Sequence, residues 1–574
     1  MQPTNFPPPP KGPQHRSPHS PRVFYSDSVG CSALRIILLH HIEPLFLGGA
    51  FQFQCLGGQI ITKAYTFEGS DYDENALQTV CLPSATHEPM QFRASSNLSF
   101  IFQGGENVLQ KRLSAIDFNF EPIKEAIVNT GFSAILLVTD PPAKIKPIES
   151  ITGWTIFKPL PMYEPQELSP YYYMTNLVLE RPSKTFDFCK DLHKVWATSR
   201  KTVAMIIGPK DSGKSTVSKE ICNVFLSTRP RDGYSIYYLD CDVGQSEFTP
   251  PGLLSIVKVD KPFFSAPFAS QIRTFHNSFY YGDVTPASDL DLYISILKQC
   301  FTEFFEMSQR DTNALLLINT LGWVENFGKE ILDNLVEIFA PSCILALKRG
   351  AFVHIPKNTG GHVFFQEAHN VPDNRKISPP KLRDLAITGY FTQCFLKSMN
   401  LEVVSFSEVS VRMISFEKIG IFIHPSHLIS DKAYLAALNM STVALCTVPE
   451  KFKKDFKWQK LCGKENLPCK IEYSDQASSS KPFFKCIGYG LVRAISVENE
   501  KIYIITPADP YYLTDVNVLA IGNDIHTPHW IFQTQNTANA PYLMHTKNHA
   551  NDFDRLSMPL KIVGLHKRNV FRNR

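Results

Sequence analysis

The chain has 574 residues, of which 44% are hydrophobic and 20% charged, and its formal net charge is +4. These proportions are ordinary for globular proteins, and the length predicts about three or four domains. The charge is too small to make the whole surface attractive to nucleic acid, so any basic surface must be local. The 13 cysteines include no CxxC pair, which predicts a reducing compartment and neither a disulfide framework nor a structural zinc site.

The N-terminal region predicts strands. Residues 1–22 are rich in proline and lack an apolar core, which indicates a disordered basic leader and not a secretory signal peptide. Residues 33–51, ALRIILLHHIEPLFLGGAF, are apolar but interrupted by histidine, glutamate and proline, so they predict strands and not a membrane span. From 23 to 165, short β-branched and aromatic runs predict a mostly β domain.

Residues 166–395 predict alternating strands and helices. TVAMII (202–207) and YSIYYLD (234–240) have the apolar runs of buried strands, and KSTVSKEICNVFLS between them has helical spacing, so together they predict a βαβ unit with parallel strands. ALLLINT (314–320) and CILALK (343–348) predict two more strands. Residues 396–574 predict a mainly β domain with a basic tail. The predicted fold class is α/β, with a central parallel-sheet domain between two mostly β domains.

A glycine-rich loop, GPKDSGKST (208–216), lies between the first central strand and its helix. It matches G-x-x-x-x-G-K-[ST] in the context that this motif requires, and its backbone N–H groups and the helix amino end suit phosphate. We expect Lys214 to reach the β and γ phosphates and Ser215 to ligate Mg²⁺. The predicted nucleotide-binding residues are Gly208, Pro209, Lys210, Asp211, Ser212, Gly213, Lys214, Ser215 and Thr216.

Two aspartates follow the next strand in LDCDVGQSEFTPPG (239–252). Asp240 and Asp242 are alternate residues of an extended chain and point to one side, at the strand end where open α/β sheets bind ligands. One carboxylate can hold the Mg²⁺ shell while the other accepts a proton from an attacking hydroxyl, and the residues alone leave open which does which. The alternative without a catalytic role is a solvated acidic turn that caps a helix.

The remaining motifs exclude two classes of nucleotide-binding protein. A GTPase would need N-K-x-D, which the sequence lacks, and the only string similar to an ABC-type signature, LGGQ (56–59), precedes the glycine-rich loop. A kinase or another ATP-using enzyme remains.

GPKDSGKST, LDCDVGQSEFTPPG and INTLGWV (318–324), in this order, resemble the polynucleotide 5′-hydroxyl-kinase family. KLRDLAITGYF (381–391) and residues 488–507 extend the resemblance to most of the chain. They are more similar to the nucleolar branch, which acts in pre-ribosomal-RNA spacer processing, than to the branch of messenger-RNA 3′-end formation and tRNA splicing. The resemblance implies an enzyme of the nucleus and nucleolus that uses ATP and Mg²⁺ on RNA with a 5′-hydroxyl end, with an endoribonuclease partner and no membrane.

The resemblance also implies roles for single residues. Asp240 would activate the 5′-hydroxyl, and Asp242 and Gln245 would lie beside it in the metal shell or against the substrate. Thr320 and Gly322 would line the site, and Trp323 would stack on the terminal nucleotide; a core position is the alternative for Trp323. An arginine-bearing lid makes Arg375 and Arg383 candidates. The candidate catalytic residues are Lys214, Asp240, Asp242, Arg375 and Arg383.

Two other functions stay open. The chain could be an ATP-binding scaffold subunit of an RNA-processing nuclease complex with weak or lost kinase chemistry, or a kinase of nucleosides or other small molecules. Two flanking β domains and a stacking tryptophan are superfluous for a small acceptor and favour a polynucleotide. The family also implies a clasp from the N-terminal domain over the adenine, for which no motif identifies residues. The basic C-terminal residues, among them Lys567 and Arg574, could attract RNA or direct nuclear import.

Overall fold

The computed structural model describes residues 17–25, 34–84, 86–96, 101, 105–159, 165–175, 185–228, 234–323, 327–349, 354–356, 359–368, 377–395, 406, 409–474 and 480–533. Most of the predicted leader, Arg375 and the basic C-terminal tail lie outside these ranges. The chain forms two compact units, Met1–Pro141 with Phe157–Glu180, and Pro142–Ile156 with Arg181–Arg574. No helix in the described ranges has the length and apolar character needed to cross a membrane.

The first unit is a nine-stranded sheet with two helices. Its strands are β1 (Arg22–Tyr25), β2 (Arg35–Leu39), β3 (Leu45–Thr62), β4 (Tyr65–Glu68), β5 (Gln78–Leu82), β6 (Met90–Ala94), β7 (Ala134–Thr139), β8 (Gln166–Glu167) and β9 (Tyr172–Thr175), and its helices are α1 (Glu106–Ser114) and α2 (Phe120–Thr130). The order β1-β2-β7-β3-β9-β8 forms the main path, and β4, β5 and β6 pair with β3. The strands predicted in residues 33–51 are confirmed as β2 and the start of β3.

Apolar stripes hold the two helices of this unit against its sheet. Leu109 and Leu113 of α1 and Ile123 and Ile127 of α2 are buried in one cluster with residues of β2 and β7. The Asn119 side chain accepts the Glu121 backbone N–H at the start of α2, as helix-capping residues do.

The second unit carries the other elements. Its strands are β10 (Lys201–Ile207), β11 (Tyr234–Asp240), β12 (Leu253–Val259), β13 (Ser278–Tyr280), β14 (Asn313–Asn319), β15 (Cys343–Lys348), β16 (His362–Glu367), β17 (Arg412–Ser415), β18 (Gly420–Ile423), β19 (Thr442–Thr447), β20 (Phe456–Lys460), β21 (Cys469–Tyr473), β22 (Phe484–Ser496), β23 (Lys501–Ile505) and β24 (Val518–Ile521). Its helices are α3 (Pro147–Thr152), α4 (Thr185–Thr198), α5 (Lys214–Thr228), α6 (Pro267–Ser270), α7 (Leu290–Met307), α8 (Phe327–Phe339), α9 (Pro379–Phe391), α10 (Tyr434–Leu438), α11 (Pro510–Leu513) and α12 (Trp530–Gln533).

These strands form one sheet in the order β16-β15-β10-β14-β11-β12-β13-β22-β19-β24-β18-β21-β20, with β17 and β23 off this path. β10, β11, β14, β15 and β16 are parallel, which confirms the predicted α/β class. β12 is antiparallel to β11, because a loop and not a crossover helix joins the two strands. The sheet is therefore mixed: the pairings from β11 through β12, β13, β22 and β19 to β24 are antiparallel, whereas β18 is parallel to both β24 and β21.

The sheet continues beyond residue 395 through the antiparallel pairing of β13 with β22. Strands on both sides of that expected boundary thus belong to one sheet, and the division into three domains stays a prediction. The segment 142–156 also belongs to this unit, where the Trp154 ring lies 6.0 Å from that of Trp530. Trp530 Nε1 in turn donates to the Thr388 hydroxyl of α9 at 2.8 Å.

The parallel strands place the site through their register. Ile206 of β10 and Asp240 of β11 both pair with Asn319 of β14. The carboxyl ends of these three strands therefore share one edge of the sheet, where ligands bind in open α/β folds.

Candidate active site

The glycine-rich loop connects β10 to the amino end of α5. Gly208 and Gly213 have φ angles of +156° and +89°, and a Cβ on Gly208 would lie 2.9 Å from the Leu347 carbonyl oxygen. Asp211 is also left-handed, with φ of +60°. Such a loop turns backbone N–H groups inward at a helix amino end. The strand, loop and helix predicted for a phosphate site are thus all present.

Lys214 is buried within this loop. Its Nζ donates to the carbonyl oxygens of Gly208 and Pro209 at 2.8 and 2.9 Å. Burial lowers the Lys214 pKa to about 8, although Asp242 and other nearby carboxylates favour the charged form. A phosphate group would offer this cation stronger acceptors than two carbonyls do.

Asp240 lies deep in the site, at the end of β11. Its Oδ1 accepts from the Asp242 backbone N–H at 3.1 Å and from Asn319 Nδ2 at 3.2 Å, and its Oδ2 accepts from the Glu247 backbone N–H at 3.0 Å. Burial, and next the charge of Asp242, raise the Asp240 pKa to about 8, against the effect of the two backbone bonds. A carboxyl group with such a pKa is suited to proton transfer near neutral pH.

Asp242 is less buried than Asp240. Its Oδ1 accepts from the backbone N–H groups of Gly244 and Gln245 at 2.9 and 3.0 Å, and its other carboxylate oxygen has no hydrogen-bond donor in the described part of the chain. The Gln245 side chain is exposed beside it. The two predicted carboxylates thus come together, one enclosed and one facing outward.

Asn319 completes the cluster, although we did not predict it. Its side chain is 2% exposed at the end of β14, and its Nδ2 donates to the Ser215 hydroxyl and to Asp240 Oδ1, both at 3.2 Å. The signal was present in the sequence, because Asn319 is a polar residue at the carboxyl end of a buried strand.

The residues after β14 divide into a buried and an exposed group. The Thr320 hydroxyl is buried and donates to the Ile206 carbonyl at 2.7 Å, so it ties β14 to β10; its predicted substrate contact stays a prediction. A Cβ on Gly322 would lie 2.8 Å from Lys210 Cα, so only glycine fits beside the loop. Trp323 is 40% exposed, which rules out the fully buried core position and leaves ring surface available for stacking.

Two arginines lie near these groups. Burial lowers the Arg383 pKa, while Asp524, Asp384 and Asp242 favour its charged form, which places this predicted lid arginine near Asp242. Arg349, which we did not predict, donates through Nη2 to the Asp211 carbonyl at 2.8 Å and is a further candidate contact for phosphate. Arg375 lies outside the described residues.

A buried ion pair supports the loop that carries Asp240 and Asp242. Lys219 Nζ lies 2.8 Å from Glu247 Oε1, and Glu247 is 2% exposed. Burial raises the Glu247 pKa, and Lys219 opposes this shift. Glu247 lies within LDCDVGQSEFTPPG, but a charged residue in a loop is usually solvated, so no local pattern predicts its buried position.

The residues suit a magnesium ion held mainly by the nucleotide. The described residues contain no group of three or more His, Cys, Asp or Glu side chains that could hold a metal. Mg²⁺ at phosphotransfer sites is commonly bound by one or two protein ligands plus phosphates and water. Ser215 Oγ accepts one bond from Asn319 and keeps a second lone pair, and Asp242 has an unused oxygen, so these two predicted ligands fit.

Two family models match parts of the chain. "mRNA cleavage and polyadenylation factor CLP1 P-loop" matches residues 208–393, and "NOL9-like, C-terminal domain" matches residues 470–527. The first match spans the loop, both aspartates, Asn319 and Arg383. The second lies in the β-rich region that follows.

Curated relatives carry one name in several eukaryotes. The chain is 26% identical over 565 residues to "Polynucleotide 5'-hydroxyl-kinase nol-9" of Caenorhabditis elegans, with 94% of this chain and 96% of the relative covered. It is 31% identical over 364 residues to the protein of that name in Caenorhabditis briggsae, with 62% and 63% covered. It is 26% identical over 392 residues to "Polynucleotide 5'-hydroxyl-kinase NOL9" of Homo sapiens, with 58% and 50% covered. The chain thus spans nearly the whole of the first relative and less than two thirds of the other two.

Proposed function

Because the chain belongs to the polynucleotide 5′-hydroxyl-kinase family, we propose that it transfers the γ-phosphate of ATP to the 5′-hydroxyl end of RNA. The observation that carries the proposal is the shared sheet edge. There, Lys214 in the phosphate loop and the carboxylates of Asp240 and Asp242 lie close enough for their charges to interact. A donor site and an acceptor site for one phosphoryl group are thus adjacent.

The roles proposed for the residues follow from their positions. Lys214 and the loop N–H groups bind the phosphates and stabilise the charge that develops on the transferred group. Asp240 is the proposed base for the 5′-hydroxyl proton, because its raised pKa makes its carboxylate a better proton acceptor than an ordinary aspartate. Arg383 is a proposed lid cation. Mg²⁺, held by Ser215, Asp242 and the phosphates, would neutralise phosphate charge.

Trp323 is the proposed stacking surface for the terminal nucleotide. Its ring is exposed, and it is three residues after Thr320, which is anchored to β10, so its backbone is close to the phosphate loop. Stacking tolerates any base, which suits an enzyme that acts on ends and not on sequences.

We also propose the nucleolar branch of the family, with a role in pre-ribosomal-RNA spacer processing, a location in the nucleus and nucleolus, and an endoribonuclease that supplies the 5′-hydroxyl end. The match of residues 470–527 to the NOL9-like C-terminal domain supports this branch. A scaffold without chemistry is not favoured, because Lys214, Asp240 and Asp242 are all present at the shared sheet edge.

The proposal is tested by incubating the full chain with γ-labelled ATP, Mg²⁺ and a 5′-hydroxyl oligonucleotide, as RNA and as DNA in parallel. The matched control substrate has the same sequence with a 5′-phosphate. We expect label only on 5′-hydroxyl ends, and loss of transfer of at least about 10²-fold in Lys214→Ala and Asp240→Asn. Transfer that persists in Lys214→Ala, or that is absent from the parent chain, contradicts the proposal. Equal use of free nucleosides would instead indicate a small-molecule kinase.

A further inference from the structure

Asn319 stands between the two halves of the site. Its amide nitrogen has two hydrogens, and one is directed to the Ser215 hydroxyl of the phosphate loop while the other is directed to the Asp240 carboxylate. We propose that Asn319 is a positioning residue that couples the nucleotide side of the site to the acceptor side. This inference rests on the proposed function and adds a residue and a role to it.

The orientation of the amide supports this role. Asn319 Oδ1 is buried and accepts no hydrogen bond within the described ranges, so Ser215 and Asp240 are the two side chains that hold the amide. With Asp240 ionised, as its proposed role as a base requires, the reverse orientation would direct Oδ1 at another acceptor. The nitrogen therefore faces Asp240, and the same nitrogen lies within hydrogen-bond distance of the Ser215 hydroxyl.

Each partner depends on Asn319 in a different way. Ser215 lies at the start of α5, and the bond from Asn319 leaves its oxygen one lone pair free for a cation. Asp240 accepts three hydrogen bonds, of which those from Asp242 and Glu247 come from the backbone. Among these three donors to Asp240, Asn319 is thus the one side chain. Its hydrogen bond is therefore the one that a substitution can remove.

The bond to Ser215 is tested by the affinity for a non-hydrolysable ATP analogue in the presence of Mg²⁺. The affinity is measured by calorimetry in the parent, Asn319→Ala, Ser215→Ala and the double variant. We expect Asn319→Ala to weaken binding about 5-fold when Ser215 is present and less than about 2-fold when it is not, since contacting residues are energetically coupled. This measurement needs no RNA, so it stands even if the proposed acceptor is wrong. Additive effects would overturn the coupling.

The bond to Asp240 is tested by kcat and KM for a 5′-hydroxyl oligonucleotide at saturating ATP. Asn319 donates the one side-chain bond among the three that Asp240 accepts, so Asn319→Ala should lower kcat about 5-fold and leave the KM for the oligonucleotide within about 2-fold. Asn319→Asp, which keeps the size of the side chain but has no amide donor, should lower kcat at least as much. An unchanged kcat, or a rise in KM without a fall in kcat, would overturn the proposal.

Asn313 provides the matched control. It lies at the amino end of β14, whereas Asn319 lies at the carboxyl end beside the phosphate loop. Asn313 Nδ2 donates to the Trp196 carbonyl at 3.0 Å. Asn313→Ala should change neither the analogue affinity nor the kcat with the oligonucleotide. If Asn319→Ala fails to fold, the isosteric Asn319→Asp supplies both readouts, and behaviour of Asn319→Asp like that of Asn313→Ala overturns the proposal.

Discussion

At the scale of single residues, burial shifts the pKa values of Lys214 and Asp240. The Lys214 pKa is lowered to about 8 and the Asp240 pKa is raised to about 8, and loss of hydration is the main cause of both shifts. In an unliganded site each shift disfavours the charged form. Bound phosphate and Mg²⁺ supply the opposite charges that each group lacks, so ligand binding and ionisation should favour each other.

The Asp240 shift predicts how stability changes with pH. The folded pKa of about 8 exceeds the usual value, so between these values the folded state binds the extra proton and its stability falls as pH rises. Asp240→Asn removes this dependence. The free energy of unfolding of Asp240→Asn relative to the parent should therefore increase by about 1 to 2 kcal/mol between pH 6 and pH 8, measured by urea unfolding without nucleotide. A constant difference across this range would contradict the shift.

Gly322 is a position where a single methyl group should disturb the phosphate loop. A Cβ there would lie 2.8 Å from Lys210 Cα, whereas one on Gly360 would meet no atom within 4 Å. Gly322→Ala should weaken ATP binding by about 10-fold or more, because backbone and not a flexible side chain must move. Gly360→Ala is the control and should bind ATP like the parent in the same titration. Equal affinities of the two variants would refute the expectation.

At the scale of elements, the site depends on three strand ends in register. β10 leads into the phosphate loop, β11 ends on Asp240 and β14 ends on Asn319, and Thr320 ties the end of β14 back to β10. The strands are rigid, while the loops that follow them carry the polar groups. Trp323, the exposed residue after β14, therefore follows a segment that is held firmly in place.

Stacking on Trp323 can be separated from general loss of an aromatic ring. Trp323 and Trp458 of β20 are both 40% exposed, so they form a matched pair. Trp323→Ala should weaken binding of a 5′-hydroxyl oligonucleotide about 5- to 150-fold, the equivalent of about 1 to 3 kcal/mol for one stacked base. Trp458→Ala should leave it unchanged. Binding measured by fluorescence anisotropy checks both, and an equal loss in both variants would argue against a specific stacking role.

At the scale of the whole molecule, the second unit is held together across the expected boundary at residue 395. β13 pairs with β22. The Tyr489 backbone N–H donates to the Tyr390 hydroxyl oxygen at 3.0 Å, and the Tyr489 hydroxyl donates to the Pro251 carbonyl at 2.6 Å. These contacts join the loop after Asp242 to the β-rich region.

This continuity predicts the behaviour of fragments. In a fragment of residues 1–395 the second unit should not fold cooperatively, because β13 and Tyr390 would lose partners and apolar core would be exposed. In a fragment of residues 1–533 the second unit should fold and be stabilised by Mg²⁺ and ATP. Thermal unfolding followed by circular dichroism, with and without ATP, checks both fragments. An ATP-stabilised transition in the 1–395 fragment would show that the boundary near 395 is a true domain boundary.

Much of the architecture was accessible from the residue pattern. The strands TVAMII, YSIYYLD and CILALK are confirmed within a residue of their predicted ends, since apolar runs of strand length bounded by polar turns are a local signal. The phosphate loop and the proximity of Asp240 to Asp242 followed in the same way. The pairing of β13 with β22 did not, because no local pattern specifies which strands meet across some 200 residues.

The amino-acid order alone indicated the nucleotide loop, the two aspartates and the family resemblance, because each depends on contiguous residues whose chemistry is local. The tertiary structure decided which groups meet. Burial of Asp240 and Glu247, the two bonds of Asn319 and the position of Arg383 near Asp242 all depend on distant segments packing together. A side chain's partners and its hydration, and hence its pKa, arise only when such segments exclude water from the same place.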